Sequence, residues 1–185
     1  MNLSTDHELM LAVRDGDIDK LGLLFEQYHK QLYNFFLRQT GNRHSSEDLV
    51  QDVFFRMLKY RHTYRAEGKF TTWMFSIAHN TKIDHFRKKS RRDAEIEETD
   101  FLVDENPNPE ETLEKQSEAA LLQRALAGLS KEKREVLLLS RFQNMKYEEI
   151  EQVMGCKVGT IKARVHRALK ELAKNYFELT GTVKP

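Results

Sequence analysis

Apolar side chains recur at intervals of three and four residues along most of this chain, which is the spacing of one face of an α-helix. The longest case spans residues 17–42 and has seven apolar residues on one face: Leu21, Leu24, Phe25, Tyr28, Leu32, Phe35 and Phe36. Gly41 follows as a helix stop. Alternation of apolar and polar residues is nowhere sustained, so no strand is predicted. The fold class expected is all-α.

Three further helices are predicted in the first half of the chain. A short helix precedes the long one and takes Thr5 or Asp6 as its N-cap, because side-chain oxygens at that position accept from free backbone amides. Another opens at Ser45 or Ser46 and buries an apolar stripe within residues 49–58. A fourth runs from about Thr71, apolar in its first half and basic in its second.

The apolar period disappears after about residue 91 and resumes near Leu113. Residues 93–118 hold eleven acidic residues and one basic residue, with Pro107 and Pro109 among them. Such a run resists folding because like charges repel. The sequence therefore predicts two small helical domains, residues 1–92 and 113–185, joined by an acidic flexible linker over residues 93–112. Taken by its charge alone, the linker is a simple tether.

Composition excludes several classes of protein. No apolar run approaches the roughly 18 residues of a membrane span, and the N-terminus lacks the order of a secretory signal. The single Cys156 cannot form an intramolecular disulfide. No membrane insertion and a cytoplasmic location are expected. The net charge of +1 hides two basic blocks, residues 62–92 and 119–174, which are typical of contact with phosphate backbones.

Two glycines four residues apart, Gly155 and Gly159, separate an apolar helical pattern from a basic one. A phosphate-binding loop is rejected because no strand precedes the glycines and their spacing is wrong. A helix-turn-helix fits better, since glycine at 155 can end the first helix in the left-handed conformation. Its small core would comprise Ile150, Val153, Met154, Ile161 and Val165. The basic side chains of the second helix suit phosphates and guanine edges in a major groove, although a helical hairpin with a solvated basic face is the alternative.

Three stretches in this order resemble the bacterial RNA polymerase sigma factors of the extracytoplasmic-function (ECF) type, within the sigma-70 superfamily: EDLVQDVFFRML, FTTWMFSIAHNTKIDHFRKKSRR and YEEIEQVMGCKVGTIKARVHRALKEL. The resemblance covers nearly the whole chain. It implies an alternative sigma factor with sigma domain 2 before the linker and sigma domain 4 after it. Such a protein binds core RNA polymerase and promoter DNA, helps to open the DNA, and is often masked by an anti-sigma factor. The resemblance implies a monomer outside these complexes.

The resemblance assigns polymerase binding to the helix that contains EDLVQDVFFRML. The residues concerned lie off the apolar stripe: Asp48, Gln51, Asp52, Phe55 and Arg56. An aromatic residue on an outer face indicates a partner surface on its own account, and an acidic solvated face with one stray Phe is the alternative.

The resemblance also assigns DNA contacts to both domains. Recognition of the −10 element and the melted strand falls to Arg65, Lys69, Phe70, Asn80, Lys82, Arg87 and Lys88. A flipped base needs an apolar pocket and the separated strand needs cations. Aromatic residues placed as Trp73 and Phe70 are, however, more often core residues than stacking platforms. Recognition of the −35 element falls to Thr160, Lys162, Ala163, Arg164, His166 and Arg167. In the family, the linker threads through the polymerase cleft.

No catalytic site, metal site or cofactor is predicted. His79 and His85 face different sides of one helix, and no metal-binding spacing of His or Cys exists. Cys156 has no activating base except the distant His166, so a packing role is favoured over redox sensing. Two other functions are weighed. An autonomous helix-turn-helix regulator would bind duplex DNA without polymerase. A nucleic-acid-processing enzyme would need a carboxylate cluster that the sequence does not supply.

Overall fold

The computed structural model describes residues 5–95 and 113–181, with side chains for 5–88 and 118–181. Residues 96–112, which make up most of the predicted linker, lie outside the described residues. Across both described ranges every regular element is helical, which confirms the all-α prediction. None of the described helices combines the length and apolar character that crossing a membrane requires.

Residues 5–95 form four α-helices. They span Asp6–Arg14 (α1), Lys20–Thr40 (α2), Arg43–Lys59 (α3) and Phe70–Glu95 (α4), with a short 3-10 turn at Arg61–Thr63 between α3 and α4. Most of this range belongs to one compact unit. Its core is the set of buried stripes from α1 to α4, where the Phe35 and Phe75 rings meet edge to face with centroids 5.2 Å apart.

The predicted cap of α1 is confirmed at Thr5. Its side-chain oxygen accepts from the backbone amide of Glu8 at 3.3 Å, and the Glu8 carboxylate accepts from the backbone amide of Thr5 at 2.7 Å. This reciprocal pair satisfies two amides that the first turn of a helix leaves without partners. Leu9, Met10 and Val13 are the buried residues of α1.

The predicted start of α3 is wrong by three or four residues, because the cap position is residue 42 and not Ser45 or Ser46. The helix begins at Arg43, and Ser46, one of the two predicted caps, is buried inside it. Helix α2 ends at Thr40, whose hydroxyl donates to the carbonyl of Asn42 and accepts from its amide, both at 3.1 Å. With Gly41 at a φ of 69°, this turn reverses the chain within two residues, so α3 starts earlier than its serines indicated.

Residues 113–181 form four more α-helices. They span Leu113–Ala127 (α5), Lys131–Leu137 (α6), Tyr147–Met154 (α7) and Val158–Thr180 (α8), and α6 continues as a π-helical turn at Leu138–Phe142. Most of this range belongs to the second compact unit. Ser130 occupies the N-cap position of α6, and its side chain makes no capping hydrogen bond.

The turn between α7 and α8 has the geometry predicted for a helix-turn-helix. Gly155 ends α7 with a φ of 65° and a ψ of 25°, and its amide donates to the Glu151 carbonyl at 2.8 Å. Four of the five predicted core residues are buried and Met154 is half-buried: Ile150, Val153, Ile161 and Val165 are the buried four. The apolar spacing thus fixes which side of α8 turns inward.

We expect Gly155→Ala to lower the free energy of unfolding of the second unit by about 1 kcal/mol, because an L-residue is strained in the left-handed conformation. A Cβ at 155 would meet no atom within 4 Å, so backbone strain alone is tested. Gly159→Ala is the matched control: it also meets no atom, lies within α8, and should stabilise by about 0.5 kcal/mol. Scanning calorimetry of the full chain measures both, and equal effects would contradict this account.

Candidate nucleic-acid and partner interfaces

The outward side of α8 carries the residues predicted to contact the −35 element. Ile161, Val165 and Ala168 are buried, which turns the opposite side of the helix to solvent. Five of the six predicted residues are exposed and Arg164 is half-buried: the exposed ones are Thr160, Lys162, Ala163, His166 and Arg167. An exposed helix face that carries Lys162 and Arg167 beside the half-buried Arg164 has the charge for a major groove.

Arg164 is held from two other elements of the second unit. Its Nη2 lies 3.4 Å from Oε2 of Glu132 on α6, and its Nη1 donates to Cys156 Sγ in the turn at 3.9 Å. The Arg164 side chain is 28% exposed. Its guanidinium is therefore restrained by its partners and still partly accessible to a ligand. Sequence analysis missed Glu132, which lies 32 residues before Arg164 and has no local signal. Lys133 and Glu171 form a second ion pair between α6 and α8.

The start of α8 leaves room for an external ligand. A Cβ added to Gly159 would meet nothing within 4 Å, so this glycine serves no close contact inside the protein. Lys157 occupies the N-cap of α8, is exposed, and makes no side-chain capping hydrogen bond. Cys156 is half-buried with a free thiol. The amides of Thr160 and Ile161 donate to the Lys157 carbonyl at 2.8 and 3.1 Å. The amides that precede them lie at the helix N-terminus, where anions commonly bind.

The outer face of α3 presents the residues predicted to bind polymerase. Phe55 is 64% exposed, while its neighbours Phe54 and Met57 are buried. Asp48 and Gln51 are also exposed, and Asp52 is partly so. A bare aromatic ring flanked by carboxylates is unusual on a solvated helix and is typical of a protein interface.

Arg56, the fifth residue predicted for this face, is tied to the core of the first unit. It lies 20% exposed between two carboxylates, with Asp52 at 3.2 Å on its own helix and Asp84 at 2.9 Å on α4. The hydrogen bond from Arg56 lowers the pKa of Asp84 below its ordinary value, and the charges of Arg56, Arg87 and Lys88 lower it further. Asp84 is thus a functional neighbour that sequence analysis missed, although it stands out as the one acidic residue between Glu67 and Asp93.

The residues predicted for the −10 element divide into an exposed and a buried set. The exposed ones are Arg65, Lys69, Asn80, Arg87 and Lys88. Phe70 and Lys82 are buried, at 2% and 4% exposure. Met74, Ala78 and Lys82 follow one another at four-residue intervals on the inward stripe of α4, which explains the burial of Lys82. As the protein stands, these two side chains are not available to DNA.

Phe70 and Trp73 belong to an aromatic cluster with Tyr64 and Tyr28. The Tyr64 ring, 2% exposed, meets Trp73 edge to face at 4.8 Å and Phe70 at 6.2 Å, and Phe70 also meets Tyr28 at 5.2 Å. Phe70 is therefore a core residue, and Trp73 is half-buried beside it. The segment 65–69 between Tyr64 and Phe70 is exposed at every residue, and Gly68 adopts a φ of 73°.

Within the described ranges, no three His, Cys, Asp or Glu side chains are arranged to hold a metal ion. The chemistry that these surfaces offer is recognition: cations and backbone amides toward phosphates, and an aromatic ring toward a protein.

Comparison with known proteins agrees with this arrangement. Residues 24–92 match the family model for sigma-70 region 2, and residues 119–172 match that for sigma-70 region 4. The chain is 30% identical over 159 residues to RNA polymerase sigma factor YlaC of Bacillus subtilis, covering 85% of this chain and 92% of the relative. It is 34% identical over 175 residues to the ECF RNA polymerase sigma factor SigE of Mycolicibacterium smegmatis, covering 91% and 68%.

A solved structure is similar as well. It is the sigma factor RpoE of Bartonella quintana in complex with the anti-sigma factor NepR, with a TM-score of 0.73 and 25% identity, covering 83% of this chain and 94% of that one.

Alkaline pH is expected to destabilise the first unit through its buried tyrosines. Burial, with a smaller effect of Asp6, raises the pKa of Tyr64 from 10.0 to about 12, and burial with a hydrogen bond to Asp6 raises that of Tyr28. An acid whose pKa is raised on folding stabilises fully below its unfolded pKa. The contribution of Tyr64 to the free energy of unfolding, about 3 kcal/mol, is therefore lost as the pH rises from 10 toward 12. Urea unfolding at several pH values measures this, and a Tyr64→Phe variant with an equally steep loss would contradict it.

Proposed function

The chain belongs to the ECF group of sigma-70 factors and is an alternative sigma factor, and from this we propose that α3 docks it on core RNA polymerase while α4 and α8 recognise the −10 and −35 promoter elements. The observation that carries the proposal is the exposed cationic face of α8, aimed by the left-handed turn at Gly155. The exposed residues of α3 and of segment 65–88 supply the other two contacts. In this function, the chain selects the promoter and the polymerase carries out the polymerisation chemistry. The proposed location is the cytoplasm.

The proposed −35 contacts combine two kinds of recognition. Thr160 and the amides at the start of α8 suit a phosphate, and the exposed side chains of Lys162 and Arg167 can follow the DNA backbone. Arg164 has a restrained guanidinium, which is the requirement for a bidentate contact to a guanine edge. Ala163 offers a methyl group to thymine, and His166 a hydrogen-bonding ring.

The proposed −10 contacts use the exposed set alone. Arg65 and Lys69 lie at the two ends of the exposed segment 65–69, where an unstacked base would be received. Asn80, Arg87 and Lys88 lie along α4, where a separated strand would run. Phe70 and Lys82 support these contacts from within the core.

An anti-sigma factor is a further proposed partner. The similar sigma factor of Bartonella quintana is bound by such a protein. A partner that covers the cationic face of α8 or the exposed ring of Phe55 would prevent promoter or polymerase binding by direct occlusion.

Reconstituted transcription tests the proposed function. Core polymerase of the source organism is mixed with the purified chain and with fragments of the genome, and transcript starts are mapped. We expect starts that depend on the chain and share a two-part upstream motif. Specific duplex binding by the chain alone, without new transcripts, would favour the autonomous regulator instead.

Phe55→Ala is expected to weaken binding to core polymerase about tenfold or more, since an exposed aromatic that becomes buried in an interface is a common energetic centre. The free energy of unfolding of the chain should change little because the Phe55 ring is mostly exposed to solvent. Leu23→Ala on α2 removes a comparably exposed apolar side chain and is the control. Fluorescence anisotropy with labelled chain gives both affinities, and equal losses would contradict the assignment of this face.

Glu132→Gln is expected to strengthen holoenzyme binding to duplex DNA that lacks a promoter. Without its carboxylate partner, Arg164 can pair with a phosphate, so the slope of log affinity against log salt should steepen by about one. Discrimination between promoter and other DNA should fall at the same time. Glu171→Gln is the matched control, because it breaks the other ion pair between α6 and α8, that with Lys133, and should leave the slope unchanged. A Glu132→Gln slope equal to that of the wild type would contradict this role.

A further inference from the structure

Helix α1 lies before residues 24–92, the segment that matches the sigma-70 region 2 model, yet it holds two buried tyrosines of that segment. His7 Nδ1 lies 2.5 Å from Tyr64 Oη across 57 residues of sequence, and the two rings stack with centroids 6.1 Å apart. The adjacent Asp6 accepts a hydrogen bond from the Tyr28 hydroxyl, and another from Gln27 Nε2 at 3.0 Å.

The two tyrosines hold both ends of the exposed segment 65–69. Tyr64 immediately precedes the segment and Phe70 immediately follows it, and their rings are in contact at 6.2 Å. Tyr28 packs on Phe70 from the other side at 5.2 Å. The segment is therefore exposed along its length but anchored at each end in one buried cluster.

The hydroxyl of Tyr64 depends on α1 for its partner. A buried hydroxyl without a hydrogen bond is costly, and the side chain to which this one is bonded is His7. Either tautomer of the imidazole serves, since one of the two groups donates and the other accepts. Without His7, the Tyr64 ring gains by tilting its hydroxyl toward water, and that movement shifts the first anchor of segment 65–69.

We propose that His7 and Asp6 are positioning residues, through which α1 fixes segment 65–69 in the geometry that receives an unstacked promoter base. The inference rests on the proposed function, in which that segment takes the base. It adds a role for α1, which touches DNA nowhere in this scheme. A preorganised receptor speeds capture because less ordering remains to be done when the base arrives.

The test uses holoenzyme formed with the full chain and a promoter fragment recovered by the start-site mapping. A 2-aminopurine in the melted region reports the rate of opening. His7→Leu should open duplex promoter about five- to tenfold more slowly, as expected for the loss of one buried hydrogen bond. His7→Asn places an amide near the position of Nδ1 and should restore most of the rate. Tyr64→Phe keeps the ring packing and should show the same defect as His7→Leu.

Two controls separate positioning from stability. His29→Leu alters a histidine whose ring stacks on Phe25 with centroids 5.0 Å apart, and it should leave the rate unchanged. A premelted bubble template removes the need for opening, so the His7→Leu defect should shrink to less than about twofold there. A merely structural defect would lower the fraction of active holoenzyme and would therefore reduce the signal from the duplex and bubble templates by the same factor.

Equal losses on duplex and bubble templates would overturn the proposal. So would a His29→Leu rate as low as that of His7→Leu, or a His7→Asn rate no faster than that of His7→Leu. A wild-type chain that opens no promoter would overturn the proposed function and this inference together. Normal wild-type opening with unaffected His7 and Tyr64 variants would overturn this inference alone.

Discussion

Burial of one apolar stripe per helix is the constraint on which the functional surfaces depend. A helix that turns Ile161, Val165 and Ala168 inward must turn Lys162, His166 and Arg167 outward, because the side chains follow the 3.6-residue turn. The same rule in α3 exposes Phe55 while Phe54 and Met57 enter the core. The surfaces proposed for DNA and polymerase are thus built on rigid helices, and the precision of each is set by packing on its opposite side.

Carboxylates restrain several of the cations on these surfaces. Glu132 pairs with Arg164, and Asp84 pairs with both Arg56 and Arg87. An arginine with a carboxylate partner adds less to indiscriminate attraction toward phosphates, since the pair is close to neutral as seen from a distance. We infer that the carboxylates fix the orientation of these arginine side chains and lower the nonspecific affinity of the chain for DNA. That balance suits a recognition factor whose DNA contacts are made in the company of a polymerase.

Much of the architecture could be predicted from local spacing. The helices, the left-handed turn at Gly155 and the inward side of α8 all follow from periodicity and from the conformational freedom of one glycine. The start of α3 was missed because Ser45 and Ser46 are preferred N-cap residues by type, whereas the Thr40–Asn42 turn starts the helix before them. Lys82 could have been placed correctly, since it continues the stripe of Met74 and Ala78. The bonds of His7 to Tyr64 and of Glu132 to Arg164 leave no local trace, because they join residues that only the tertiary fold brings together.

The edge-to-face contact between Tyr64 and Trp73 also gives the free protein an optical property. Trp73 is the single tryptophan of the chain, and its ring centroid lies 4.8 Å from that of Tyr64. Selective excitation of tryptophan therefore isolates one location, the aromatic cluster at the base of segment 65–69. Emission wavelength, quenching by iodide and anisotropy decay of the unlabelled protein all report the packing and motion of this cluster, with no background from the second unit.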